Sequence, residues 1–304
     1  MSHSFRRRLD TLSERAIFGV SLAAISIIVF IFIYITREAW PLISGAVRET
    51  SLGSVFGPPF QWDPVSVQQP RYNVVPLVAG TLKVTLVAML VGTPLALGAA
   101  LYTAEFASHR LREWLKPTVE LLAGIPSVVV GFFALIVMAS WIQDILGLQY
   151  RLNAFTAGIA LSLAVIPIVF TVAEDALSAV PATYREASLA LGASAVQTAV
   201  RVVLPAASPG IGAALILGMG RALGETMIVL MVSGNAALLG FDPFSGARTM
   251  SATIAAELGE VVYGGDHYSV LFFIGVLLFI TTSGLNWVGE RINAGLRRKL
   301  FGGV

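Results

Sequence analysis

Six runs of apolar residues set the first constraint on this chain: roughly Ala16 to Ile35, Val75 to Tyr102, Leu121 to Trp141, Ala154 to Ala173, Ile211 to Val232 and Val270 to Trp287. A helix rising about 1.5 Å per residue needs about 20 such residues to cross the hydrocarbon core of a bilayer, and each run is close to or beyond that length. The composition agrees: of 304 residues, 56% are hydrophobic and 12% charged, a balance that would coat a soluble domain in apolar surface. Arg6, Arg7 and Arg8 precede the first run, as in a signal peptide. The run is long for such a segment and no clear small-residue cleavage site follows it, so an uncleaved anchor is expected.

Charge supplies the orientation. With a cytoplasmic N-terminus the inner segments hold thirteen Lys and Arg residues, among them Arg110, Arg112, Lys116, Arg185, Arg201 and the basic C-terminal group Arg297, Arg298 and Lys299. The outer segments hold five, Arg37, Arg48, Arg71, Arg151 and Arg248, with Lys83 and Arg221 left inside spans. The positive-inside rule therefore places both termini in the cytoplasm. A net charge of +2, with basic residues flanking hydrophobic runs, does not suggest a nucleic-acid partner. The chain has no cysteine, and His3, His109 and His267 share no ligand spacing, so neither a disulfide framework nor a metal site is expected and no cofactor is implied.

Outside the spans, residues 36 to 75 are Pro-rich and read as an irregular external segment, dividing residues 1–75 from a helical core over 76–304. Between residues 235 and 269, Met250 to Leu258 reads as a short helix on the outer surface, part of either a docking face or a solvated connector. Within the spans, Gly92 with Ala96 and Gly220 with Gly224 stand four apart, the spacing that lets membrane helices approach closely.

The most structured loop runs from Pro181 into the fifth span. Thr183 with Glu186 and Ser194 with Gln197 each have the spacing of a capping box, so two short helices are expected back to back. Gly192 between them suits a left-handed helix end. Leu204-Pro205 then reads as the stop of the second helix, and Ser208-Pro209 as the N-cap and first turn of a long apolar one. Tyr184, Ala187 and Leu191 fall on one side of the first helix, away from Arg185 and Glu186.

Glu186-Ala187-Ser188, Gly192 and Val202-x-Leu204-Pro205 have the spacing of the EAA loop, E-A-A-x3-G-x9-I-x-L-P, and so resemble the membrane subunits of bacterial ABC importers. Two positions depart, serine at the third residue and valine for isoleucine. Gly220-Arg221-Ala222-Leu223-Gly224-Glu225-Thr226 and Gly124-Ile125-Pro126-Ser127-Val128-Val129 resemble the phosphate-transport permeases in particular. The first span leading into Arg37-Glu38-Ala39-Trp40-Pro41 is more similar to the PstC type than to the PstA type. The resemblance covers nearly the whole chain and is weakest over residues 1–75.

What it implies is an all-α membrane protein with the type I ABC importer permease fold: six transmembrane helices, a five-helix core plus an N-terminal helix. It also implies phosphate as substrate, a PstA-like permease partner, a PstB-like ATPase dimer and a PstS-like external phosphate-binding protein. Arg185, Glu186, Ala187, Leu191 and Gly192 would form the coupling element that docks on the ATPase, although a capping box alone accounts for Glu186. The chain has no G-x4-G-K-[ST] phosphate loop, so the subunit is expected to be non-catalytic, with ATP hydrolysed on another polypeptide.

Ionisable residues inside an apolar run mark the candidate pathway. Arg221 is the eleventh residue of the Ile211–Val232 run, near the midplane, where such a charge costs about 2.5 to 3.5 kcal/mol. Glu225 is expected one helical turn further out on the same face. The pair can be a self-neutralising ion pair, or Arg221 can meet an oxyanion whose geometry matches the guanidinium fork, with Glu225 orienting it. Glu225 can also accept a hydrogen bond from protonated phosphate and repel sulfate. Lys83, Thr81 and Thr85 of the second span are further pathway candidates, with Lys83 equally able to snorkel outward. The alternatives are a permease for sulfate or molybdate and an ion-coupled secondary transporter, the latter disfavoured because the two halves show no evident repeat.

Overall fold

The computed structural model describes residues 3–48, 50–66 and 69–301. Its helices are α1 (His3–Ile43), α2 (Leu52–Phe56), α3 (Val75–Glu105), α4 (His109–Ala123), α5 (Ser127–Leu146), α6 (Ala154–Ser178), α7 (Ala182–Ala190), α8 (Ala195–Ala206), α9 (Ser208–Gly224), α10 (Met227–Val232), α11 (Met250–Glu257) and α12 (Asp266–Phe301). Two short strands, β1 (Trp62–Asp63) and β2 (Arg71–Tyr72), pair antiparallel. Among the described residues, five helices are long and apolar enough to cross a membrane: Ser13–Ile43, Val75–Glu105, Ser127–Leu146, Ala154–Ser178 and Asp266–Gly295. A sixth crossing follows if the bent pair α8 and α9, which meet at 69°, is counted as one broken span.

The core is built on α6, the most deeply buried span. Small residues are the cause, because lipid supplies no hydrophobic drive and helices associate where backbones can approach. A Cβ on Gly92 of α3 would sit 3.2 Å from Cβ of Ser162, and one on Gly218 of α9 would sit 2.5 Å from Cγ2 of Val169. The core cluster accordingly joins Val84, Ala88 and Ala96 of α3, Leu161, Val165 and Phe170 of α6, Ala214 and Ala222 of α9, and Ile228 of α10. By contrast α1 lies along α12, with Phe32 on Phe279 and Tyr34 on Phe272 at ring separations of 4.8 and 5.9 Å. Over its middle turns much of its apolar surface, Ile17, Phe18 and Phe30 included, is open.

Three readings of these segments change. The 36–75 region is not irregular throughout: α1 runs on to Ile43, and α2 and the β1–β2 pair follow. Leu42, Val55, Trp62 and Tyr72 bury against Met250, Leu271 and Ile274, so apolar burial orders a segment that is polar on average. The third span begins at Ser127, not Leu121, because Pro126 stands at its N-cap and Gly124 closes α4, an amphipathic helix capped by Ser108. Nor does the short helix near Met250 lie on the surface. Met250, Ser251, Ala252 and Thr253 are buried, and Glu257 at its end accepts from Trp62 Nε1 (3.0 Å), pairs with Arg248 and meets His267 Nε2 at 2.9 Å.

Candidate functional site

The fifth apolar run is not one helix. α9 ends at Gly224, Glu225 is extended (φ −69°, ψ 131°), and α10 starts at Met227. The break explains Gly224, where an added Cβ would meet nothing within 4 Å: this glycine ends a helix instead of packing against one. Glu225 is therefore not on the helical face with Arg221, yet the two side chains still meet, Arg221 Nη2 lying 3.0 Å from Glu225 Oε2. Their exposures differ sharply, 45% for the Arg221 side chain against 3% for Glu225. The guanidinium thus meets a buried carboxylate while the Arg221 side chain as a whole stays about half exposed. Its place in the last turn of α9 is also favourable, since unpaired carbonyls at a helix C-terminus attract cations.

The break is braced from a direction the sequence reading did not anticipate. Ser251 Oγ donates to the Glu225 carbonyl at 2.8 Å, supplying a partner that an unbroken helix would have provided. The adjacent Met250 N–H donates to Thr81 Oγ1 at 3.0 Å, and Thr81 Oγ1 donates to Leu77 O at 2.8 Å. Thr81 therefore braces the site from behind, and Thr85, one turn along α3, is likewise buried. Lys83 leaves the opposite side of α3: its ammonium donates to Asp242 O (3.1 Å) and Ser245 Oγ (3.3 Å) in the loop after α10. The structure does not bring Lys83 together with the Arg221–Glu225 pair. Ser251 could have been found from Thr249, whose side chain caps α11 by accepting from Ala252 N–H. Nothing in the local sequence connects it to Glu225.

The candidate around Gly192 folds as two helices in an L. Gly192 has φ +83°, and Gly192 N–H to Leu189 O (2.9 Å) with Ala193 N–H to Ser188 O (3.2 Å) makes a Schellman end to α7. Ser188 Oγ and Thr198 Oγ1, 2.9 Å apart, pin the two arms. The second capping box is present, Ser194 accepting from Gln197 N–H and Gln197 from Ser194 N–H. The first is not: Pro181 is the N-cap of α7 and makes no side-chain bond, so Thr183 already lies inside the helix. Glu186, freed from any capping duty, is exposed.

Leu204-Pro205 does not stop the second arm. The chain passes through a π-helical turn at Ala199–Val203 into Leu204–Ala206, where proline is tolerated in the first turn, and only then bends into α9. Pro209 does open α9, but Ser208 is its first residue and not a side-chain cap.

Tyr184, Ala187 and Leu191 line a shallow groove on the open side of the L, closed by Gln197, Arg201 and Val202. Arg185 points the other way. Its Nη2 lies 2.6 Å from Glu105 Oε1 at the end of α3, and its Nη1 and Nη2 donate to Val180 O (2.6 Å) and Leu177 O (2.9 Å). The hydrogen bond to Glu105 holds its pKa above the ordinary arginine range, with burial opposing.

With this geometry described, comparison with known proteins is decisive for the family. The family model "Binding-protein-dependent transport system inner membrane component" matches residues 92–300. This chain belongs to that family. The permease is 32% identical over 277 residues to the probable ABC transporter permease protein YqgH of Bacillus subtilis, covering 90% of this chain and 88% of that one. It is 31% identical over 288 residues to the phosphate transport system permease protein PstC of Mesorhizobium japonicum, covering 88% and 86%. Its fold matches that of a bacterial ABC transporter involved in the import of the acidic polysaccharide alginate, with TM-score 0.62 at 17% identity over 97% of this chain and 99% of the other. It also matches the MetNI methionine ABC transporter in an inward-facing conformation, with TM-score 0.56 at 23% identity over 79% and 99%. The permease is an inner-membrane subunit of an ABC importer with the type I fold. Subunits of this kind are non-catalytic and work with an ATPase and an external binding protein.

Proposed function

We propose that this permease subunit carries inorganic phosphate inward, with Arg221 as the residue that meets the anion. The observation that carries the reading is a half-exposed guanidinium, backed by the buried Glu225, beside a broken helix in an otherwise apolar span. A guanidinium cannot lose its charge and presents a fork that fits tetrahedral oxyanions. Irregular backbone at membrane depth is tolerated where it is buried in protein or lines a cavity, so the break at Glu225 is what a transport path needs. Similarity to PstC permeases supports phosphate among the oxyanions.

In this reading both termini are cytoplasmic, and a PstA-like permease covers the open face that carries Arg221. A PstS-like protein delivers phosphate outside. A PstB-like ATPase dimer hydrolyses ATP inside and docks on the groove of Tyr184, Ala187 and Leu191, with Glu186 at its edge. ATP-driven closure of the ATPases moves the L-shaped element, the bundle opens outward, and hydrolysis resets it. The test is uptake of labelled phosphate by the assembled complex in vesicles, with sulfate and molybdate as competitors. Phosphate should be taken up only with ATP, and a hundredfold excess of sulfate should inhibit little. Efficient competition by sulfate or molybdate would transfer the assignment to that anion.

A further inference from the structure

We propose that Arg185 is a positioning residue that ties the coupling element to two membrane helices, so that motion of that element is delivered to α3 and α6. The proposal rests on reading the L-shaped element as the ATPase contact, and it gives Arg185 a role that the docking groove does not. The guanidinium makes five hydrogen bonds. Nε lies 3.1 Å from each oxygen of Glu105 and Nη2 lies 2.6 Å from Oε1. Nη1 and Nη2 reach Val180 O and Leu177 O. Glu105 is the last residue of α3, and its side chain is 8% exposed. Leu177 lies in the last turn of α6 and Val180 in the link to α7, where carbonyls have no partner within the helix. One side chain thus joins the ends of two spans to the first arm of the L. Among the described residues, this ion pair alone connects α7 to a span.

The second arm reaches the site by a different route. α8 continues through the 69° bend into α9, which carries Arg221. α3 runs from Glu105 back to Thr81, about 36 Å at 1.5 Å per residue, and Thr81 holds the N–H of Met250 next to the residue that braces Glu225. The covalent route and the Arg185 route therefore arrive at the same helix break, one along α9 and one through Thr81, Met250 and Ser251. A displacement of the L applied through α8 alone would move α9 against α3. Applied through both, it moves them together. Arginine suits the joint because its planar fork can serve a carboxylate and two carbonyls at once, which a lysine ammonium cannot.

The chain contains no cysteine, which makes the joint replaceable by a chemical one. In a complex whose other subunits are also cysteine-free, the pair Glu105→Cys with Arg185→Cys is assayed before and after bridging with a bifunctional thiol reagent. Arg185→Ala is assayed alongside. Before bridging, and in Arg185→Ala, the ATPase should stay bound and ATP hydrolysis should stay within about twofold of the parent, while anion uptake per ATP falls at least tenfold. Bridging should restore at least a third of it.

Unchanged uptake per ATP in Arg185→Ala, or no recovery on bridging, would overturn the proposal. So would loss of the ATPase from the variants that bridging does not reverse, since Arg185 would then belong to the docking surface. If Arg185→Ala does not assemble, Arg185→Lys serves, with intermediate coupling expected and full coupling contradicting the proposal. A parent complex that hydrolyses ATP but imports another oxyanion faults only the substrate assignment, and the comparison is then made with that anion.

Discussion

At the scale of single residues, the Arg221–Glu225 pair divides its work by exposure. The carboxylate is buried and the Arg221 side chain is not, so under the proposed function Glu225 would act by orienting Arg221 and lowering the cost of its charge in the span. This differs from a carboxylate that reads the proton on phosphate directly. Replacing Glu225 with Gln keeps the shape and weakens a charge-assisted contact of about 1.5 to 3 kcal/mol. Phosphate uptake should therefore fall about tenfold or more while sulfate remains as poor a competitor as in the parent. A rise in sulfate competition would instead show that the carboxylate meets the anion itself. The contact between Arg221 and Glu225 was legible in the sequence because a charge in an apolar run needs a partner. The placement of Glu225 was not, since Gly224 is equally consistent with packing and with a helix end. Lys83 and Thr81 seemed to belong together by proximity, but residues two apart on a helix point to opposite sides.

At the scale of elements, the L-shaped segment shows what local sequence can and cannot fix. Gly192 and the Ser194–Gln197 box set one bend and one cap, and both are present. Thr183 and Glu186 had the same spacing, but the helix already starts at Ala182 after Pro181, so Thr183 lies inside it and is not placed to cap. The π-turn at Ala199–Val203 and the burial of α11 come from packing between elements, which no single stretch records.

The clamp of α4 on α6 is of the same kind. Arg112 and Lys116 converge on Glu174, which is fully buried, and Lys116 Nζ also reaches Asp175 at 2.6 Å. The hydrogen bond to Asp175, followed by that to Glu174, raises the Lys116 pKa above its ordinary value. A raised pKa gives stability that is complete below the unfolded value of about 10.4 and is lost as pH climbs through the folded one. Lys116→Ala should thus lower the thermal midpoint of the detergent-solubilised protein by about 2–4 °C, on the scale of roughly 1 kcal/mol in a chain of this size. That gap should be constant from about pH 6 to 9 and narrow above about pH 10.5. A gap that widened at high pH would contradict the clamp.

At the scale of the whole molecule, hydropathy alone gave the number of crossings, and motif spacing gave the family. Both follow from constraints that act along the chain: hydrocarbon thickness fixes the length of each apolar run, and a bent loop needs its turn residues in order. The way α6 centres the bundle, and the second apolar cluster that fastens the 42–74 segment to α12, depend on which apolar residues face each other across elements. Those pairings become visible only in three dimensions. The central claim is that this assembly places one arginine at a break in the membrane helix so that an anion can be passed inward. The most direct measurement compares labelled phosphate uptake with ATP hydrolysis in vesicles that hold the complete complex, with and without Arg221→Ala. The account predicts an assembled complex whose ATPase still turns over and whose uptake falls at least a hundredfold, with Arg221→Lys recovering little because a point charge does not reproduce the fork. Uptake by the alanine variant at the parent's rate would contradict it.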